Sequence, residues 1–322
     1  MPPRTRLFFE GLLWIIKITL GRYTFNPDNS VRIDKWSETM KVAYLGPEGT
    51  FTEQAAKSFI GSLDKKGLSL SPLASIEDVF HAVETGSALY GVVPVENSIE
   101  GAVNTTVDTL IFDSDLFIEK QLDLPITQNL MVGKNNTDCK ITKIISHPQA
   151  LAQSRKFINK HYPDAAIEAT GSTSEAAKIA ANYTSKNKET IAAIGPKSSA
   201  ELYDLKIIHE GIQENKSNTT QFILLTKKDT SMPKVGCSTL IVFSTEDKPG
   251  ELYKILDIFA IWDLNMTKIM SRPTKNRRGE YVFFIELSGY DDASDVADAL
   301  TMVKRKTSFF KNLGSYQMIN NL

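Results

Sequence analysis

The chain has 322 residues, 42% of them hydrophobic and 23% charged, and its 37 basic and 38 acidic side chains leave a formal charge of -1. That length accommodates roughly two domains with a buried core. The near-balanced charge, with no Lys/Arg stripe interleaved with aromatic residues, argues against a nucleic-acid surface. The two cysteines, Cys139 and Cys237, and the four histidines lack any local Cys/His spacing. Neither a disulfide framework nor a metal site is therefore expected, and a reducing cytoplasm with small-molecule partners and no membrane fits best.

Residues 1–39 differ from the rest of the chain. The apolar run over 7–20 contains Glu10 and Lys17, so it is too short and too charged to span a bilayer. Arg4 and Arg6 precede it as in a signal peptide, but the charges interrupt the run and no small-x-small cleavage pattern comes after it. Met40 then opens the strand pattern Lys41–Leu45, and the native fold is expected to start there, with 1–39 an extension outside it.

From Met40 to residue 228 short apolar strands alternate with helical patterns, the sign of a layered α/β fold. In chain order the pattern predicts a helix over 53–59, a helix over Ile76–Glu84 with Ser75 as N-cap, and a buried strand over 90–94. Strands come next at 130–132, 141–146 and 191–194, with helices over 150–160 and 174–183. Tyr44-Leu45-Gly46-Pro47 is echoed by Ala193-Ile194-Gly195-Pro196, each a strand and a Gly-Pro turn leading to a helix start. A polar linker covers 229–236. Residues 237–322 then read strand, helix, strand, strand, helix, strand, the ferredoxin-like βαββαβ order.

Clustered polar groups stand just after several strands, where open α/β sheets bind ligands. The loop Gly46–Phe51 can offer backbone amides and the Thr50 hydroxyl to an anion, or form only a tight turn. Glu96, Asn97 and Ser98 stand together after an apolar strand and serve either a ligand or a helix cap. Ser146 stands at the entrance of a helix whose Gln149 and Gln153 share one face at i,i+4, and His147 reads as a helix-entry residue in preference to a general base. Ser172 with Glu175 fits a capping box, and Thr220 with its neighbours reads alone as ordinary strand-edge polarity.

Taken in order, Gly46-Pro47-x-Gly49-Thr50-Phe51, Val93-Pro94-Val95-Glu96-Asn97-Ser98-x-x-Gly101, Ser146-His147-Pro148-Gln149-x-x-x-Gln153, Ser172-Thr173 and Asn218-x-Thr220-x-Phe222 resemble prephenate dehydratase from Met40 onward. The resemblance implies a two-lobed, type II periplasmic-binding-protein-like catalytic region over 40–228 and an ACT regulatory domain over 237–322. A monofunctional form is expected, because 39 residues are too few for the helical chorismate mutase domain of fused relatives. It implies conversion of prephenate to phenylpyruvate, water and carbon dioxide on the way to phenylalanine, with no cofactor. Thr220 would assist departure of the ring hydroxyl. Glu96 and Asn97 would orient substrate or tune that hydroxyl, Ser146 and Gln153 would hold its polar groups, and Thr50, Gln149, Ser172 and Thr173 would line the cleft with Gln221 and Phe222.

One departure stands inside the last motif, where the family's Thr-Arg-Phe is Thr220-Gln221-Phe222 here. Loss of that cation near a doubly negative substrate predicts weaker binding or a compensating Lys or Arg, and restoring Arg at 221 is expected to improve catalysis. By the same resemblance, Gly250-Glu251-Leu252-Tyr253, Asn265 and Met270-Ser271-Arg272-Pro273 would bind phenylalanine as effector between two ACT domains of a homodimer or homotetramer. The rival readings are arogenate dehydratase and a non-catalytic amino-acid sensor.

Overall fold

The structure is a computed structural model that describes residues 22–25, 31–34, 40–185, 188–227, 236–274 and 281–319. Most of the expected extension and linker, and the basic turn after Thr274, lie outside the described residues. Strands β1 (Arg22–Phe25) and β2 (Val31–Asp34) pair antiparallel in a ribbon of their own.

The first lobe is built on β3 (Lys41–Leu45), α1 (Phe51–Gly61), β4 (Ser69–Leu73), α2 (Ile76–Glu84) and β5 (Tyr90–Asn97). The short β6 (Gly101–Ala102) and α3 (Asn104–Asp108) lead through a π turn to β7 (Phe117–Pro125). The chain then crosses to a second lobe: β8 (Asn129–Gly133), β9 (Lys140–Ser146), α4 (Pro148–Gln153), α5 (Arg155–His161), β10 (Ala166–Ala169), α6 (Thr173–Asn182), β11 (Glu189–Gly195), α7 (Lys197–Leu202) and β12 (Leu205–His209). It returns in β13 (Thr219–Thr226), which lies between β5 and β7 in the first lobe. The second lobe has its own five-stranded sheet, ordered β10-β9-β11-β8-β12.

Two segments, 126–128 and 210–218, thus connect the lobes, and they hydrogen-bond to each other. Ile126 N–H donates to the Asn218 carbonyl at 2.8 Å, and Ile212 N–H to the Gln128 carbonyl at 2.9 Å. Double crossing with a cleft between the lobes is the periplasmic-binding-protein-like arrangement expected from the motifs. The two Gly-Pro turns meet across that cleft: the Gly49 carbonyl accepts from Ser198 Oγ at 2.8 Å and Ser199 Oγ at 2.7 Å, just beyond the second turn. Gly49 has φ +82°, and a Cβ there would lie 3.1 Å from both Leu202 and Ser174 Oγ.

The C-terminal unit comprises β14 (Cys237–Ser244), α8 (Glu251–Ile261), β15 (Met266–Pro273), β16 (Tyr281–Ser288), α9 (Ser294–Lys306) and β17 (Phe309–Ile319), in the expected βαββαβ order. Its sheet does not stand apart. Gln317–Ile319 of β17 run parallel to Lys120–Leu122 of β7, making one sheet ordered β15-β16-β14-β17-β7-β13-β5-β3-β4. The apolar face of the unit away from its helices shares a core with the first lobe: Val242, Val282, Phe284 and Leu313 pack in one cluster with Val79, Val93, Val107 and Ile118. Lys311 reaches across to donate to the Leu110 carbonyl at 2.9 Å and to that of Ser114. Burial holds its ammonium below the ordinary lysine range, opposed by Asp115, Glu84 and Asp113.

The pattern located most helices within a residue or two, with Ser75 capping Asp78 N–H as expected. Several findings differ. The long central strand β7 and the strands β4, β10 and β12 were not foreseen, the helix over 150–160 is two helices broken at Ser154, and β5 runs on through Asn97. Pro94 is tolerated inside β5 because β3 pairs only with residues 90–92, leaving no second neighbour to need its missing N–H.

Phe284→Ala is expected to cost about 3–5 kcal/mol and to lower the stability of catalytic lobe and C-terminal unit together, read as a single shifted transition in denaturant. Gly49→Ala, forced into the left-handed region, is expected to cost at least about 1–2 kcal/mol, seen as a lowered Tm.

Candidate active site

A cavity of about 260 Å³ lies between the lobes. Three helix starts face it: Thr50 and Phe51 at α1, His147 and Gln149 at α4, Ser172 and Thr173 at α6. Each start is capped by a side chain. Thr50 Oγ1 accepts from Glu53 N–H at 3.4 Å, His147 Nδ1 from Gln149 N–H at 3.4 Å, and Ser172 Oγ from Glu175 N–H at 3.0 Å. The capping-box reading of Ser172 holds in modified form, since Glu175 reaches back to Gly171 N–H at 2.7 Å. Among the described residues no lysine or arginine lines the cavity. The positive ends of helix dipoles and neutral donors are thus what it offers an anion.

The floor of the cleft is the end of the β5–β13 pair, where Asn97 stands opposite Thr220 and Phe222 opposite Pro94. Asn97 is buried, and its Oδ1 accepts from the N–H groups of Ile99 at 3.0 Å and Glu100 at 3.2 Å. Those two donors fix the amide's orientation, so Nδ2 must point the other way. It donates to Thr220 Oγ1 at 2.8 Å and to Asn218 Oδ1 at 2.9 Å. Asn218 Nδ2 in turn donates to Gln153 Oε1 at 3.2 Å. A chain of amides therefore runs from a first-lobe turn to a second-lobe helix, and Gln153 Nε2 is left at its end as a buried donor without a partner.

Gln128, 3% exposed on the crossing segment, lines the same cavity, and its Oε1 is likewise unpartnered. A buried polar atom without a partner costs about 1–3 kcal/mol, so these two amides mark where a ligand's polar groups belong. Thr220 Oγ1 accepts from Asn97, and among the described residues no acceptor takes its own proton. The hydroxyl of this cavity-lining residue is thus available to donate into the cleft.

The cavity brings together Thr50, Asn97, Gln149, Gln153, Ser172, Thr173, Thr220 and Phe222. Three expected residues lie elsewhere. Ser146 is fully buried and spends its hydroxyl on the Ile194 carbonyl at 2.6 Å, tying β9 to β11 beneath the site. Glu96 and Gln221 face each other in register on β5 and β13 but leave the sheet on the side opposite the cleft. The family's arginine position is therefore not a cleft position in this chain. No lysine or arginine of the described cavity wall takes that cation's place; Lys268 of β15 instead pairs with Glu96 and donates to Gln221 Oε1 at 2.9 Å, away from the cleft. Gln128 in the cavity wall and the bridging Asn218 were not foreseen by role. The polar pair Gln128-Asn129 before the apolar run 130–132 was the available signal, but without β7 the segment could not be placed as a crossing.

The expected effector residues divide between two faces of the C-terminal sheet. Gly250, Leu252 and Tyr253 line a cavity with Tyr281 and Phe283, whose register partners are Pro273 and Ser271. Glu251 instead pairs with Lys254, and Asn265 is exposed, its carbonyl accepting from Ser288 N–H. Met270 and Arg272 lie on the opposite face. Met270 packs into the core shared with the first lobe, and Arg272 bonds Asn104 and approaches Asp108 at 3.6 Å. Among the described residues no group of His, Cys, Asp and Glu is arranged to hold a metal, and no helix is long and apolar enough to cross a membrane.

A sequence model of the family "Prephenate dehydratase" matches residues 42–230. The prephenate dehydratase of Methanocaldococcus jannaschii is 42% identical over 281 residues, covering 87% of this chain and 98% of that protein. The bifunctional chorismate mutase/prephenate dehydratase of Aquifex aeolicus is 38% identical over 324 residues, 98% of this chain and 86% of that one, an alignment that reaches into the first 39 residues. The solved structure of prephenate dehydratase from Arthrobacter aurescens in complex with L-Phe superposes with a TM-score of 0.74 at 31% identity, covering 86% of this chain and 89% of that one. With its cleft, crossing segments and C-terminal βαββαβ unit in the same arrangement, the chain belongs to the prephenate dehydratase family.

Proposed function

We propose that the cleft converts prephenate to phenylpyruvate, acting as a carbon–oxygen lyase, and that Thr220 assists the leaving hydroxyl. The observation that carries this is the Asn97–Thr220 hydrogen bond, in which the threonine oxygen accepts and so keeps its own proton available to a group in the cavity. In the reaction the bond from ring to ring carboxylate breaks and carbon dioxide departs. The freed electron pair passes through the ring and expels the para oxygen, which leaves as water on gaining a proton. A prephenate dianion and one proton thus give phenylpyruvate, carbon dioxide and water, with aromatisation as the driving force.

Threonine is a weak acid, so its contribution is a hydrogen bond that strengthens as charge grows on the departing oxygen. The Asn97 amide stabilises the threonine oxygen as its proton shifts, a donor already in place before the reaction begins. Gln153 Nε2 and the N-terminal turns of α1 and α6 hold the two carboxylates. Water expelled from so small a cavity leaves these dipoles little screened. Gln128 accepts from, or after amide rotation donates to, the remaining polar group of the substrate.

We assign phenylalanine to the cavity lined by Gly250, Leu252, Tyr253, Tyr281 and Phe283, in keeping with the L-Phe complex of the Arthrobacter relative. The exposed Tyr253, Ile261 and Ile269 on this unit support pairing of two copies through it.

Purified chain is expected to form phenylpyruvate from prephenate, with arogenate tested in parallel. Thr220→Ala is expected to lower kcat roughly a hundredfold or more with the fold intact, checked by circular dichroism alongside the assay. An unchanged kcat would remove Thr220 from the chemistry. Calorimetry should detect phenylalanine binding, and no heat at about millimolar ligand would rule out the effector site.

A further inference from the structure

We propose that Lys268, a residue of the ACT domain, is a positioning residue for the catalytic pair. This inference rests on the dehydratase reading. Its basis is the register of two strands. Glu96 stands opposite Gln221, and the next pair toward the cleft is Asn97 opposite Thr220. The ladder is irregular between Gln221 and Phe222, so the last two pairs join the rest of the β5–β13 ladder through a break in register. Lys268 bridges the Glu96–Gln221 pair from the far face of the sheet, bonded at once to Glu96 on β5 and to Gln221 Oε1 on β13.

Charge explains why the clamp must be a cation. Glu96, Asp123 and Glu286 all border the polar pocket of about 350 Å³ that Lys268 enters. Gln221 is neutral and links the two signs, accepting from Lys268 and donating to Asp123 Oδ1 at 3.4 Å. An arginine at 221, as in the related motif, would bring the positive charge on β13 itself. In this chain the charge comes instead from β15, so the catalytic strands are completed by a different domain. The lysine side chain is only 16% exposed, which shields the pair from solvent screening. Lys268, Met270 and Arg272 all face the catalytic lobe, while Ser271 and Pro273 on the same strand pair with Phe283 and Tyr281, which line the cavity assigned to the effector.

The test uses the full chain and the variants Lys268→Gln, Lys268→Arg and Lys268→Gln/Gln221→Arg. Glutamine fits the polar pocket without charge, so folding is preserved and checked by Tm. Lys268→Gln is expected to lower kcat by about tenfold to a hundredfold while KM changes by less than about twofold. Lys268→Arg and the double variant are each expected to recover most of that loss. In parallel, amide exchange at Ser98 and Thr219, whose N–H groups bond across the same strand ends, is expected to quicken in Lys268→Gln.

Unchanged kcat in Lys268→Gln, a change confined to KM, or a loss that Gln221→Arg does not recover would each overturn the proposal. A wild-type chain inert on prephenate would sink the dehydratase reading alone. Amide exchange then decides the clamp by itself, supporting it if faster in Lys268→Gln and overturning it if unchanged.

Discussion

The pairing of β5 with β13 is the contact on which the rest depends. One face of its terminal residues supplies Asn97 and Thr220 to the cleft, and the other supplies Glu96 and Gln221 to the domain boundary. Because side chains alternate across a strand, neighbouring residues in one motif serve two different compartments. The strands are held on both sides, by β3 and β7, and the sheet continues through β17 into the ACT domain. The cleft and the cavity assigned to the effector are therefore built on one sheet rather than on two tethered bodies.

The cleft solves the problem of a dianionic substrate without lysine or arginine among the described residues of its wall. Helix N-termini provide partial positive charge that needs no counter-ion when the site is empty. The amide relay from Asn97 through Asn218 to Gln153 gives these neutral groups a definite polarity. Two backbone donors, from Ile99 and Glu100, set the first amide, and each later one is oriented by its neighbour. Since Gln153 belongs to the second lobe, the relay also joins the two walls of the site, beside the contacts of Gly49 with Ser198 and Ser199.

The core shared by the C-terminal sheet and the first lobe joins the two rigidly. Interior packing at near-crystalline density transmits displacement rather than absorbing it. Cations on three positions of the ACT unit, Lys268, Arg272 and Lys311, reach carboxylates or carbonyls of the catalytic lobe. Individually such contacts add little where exposed. Their effect here is geometric, fixing how one sheet half sits on the other.

Much of this was legible in the chain itself. Hydrophobic period, caps such as Ser75 and Ser172, and the Gly-Pro turns are local features, set by interactions within a few residues, and the order of five polar motifs identified the family and pointed to Thr220. What the sequence could not show was which way each residue faces. Glu96 and Gln221 sit inside the motifs yet turn from the cleft, because strand alternation and an irregular register between Gln221 and Phe222 decide the side. Ser146 sits in a motif but bonds Ile194 on a strand 48 residues away. Gln128 carries only the weak signal of a polar pair before an apolar run and Lys268 none, since one gains its meaning from a crossing between lobes and the other from a unit more than a hundred residues from Glu96. Short-range order was written in the chain, whereas register, facing and partnership were settled only when distant strands came together.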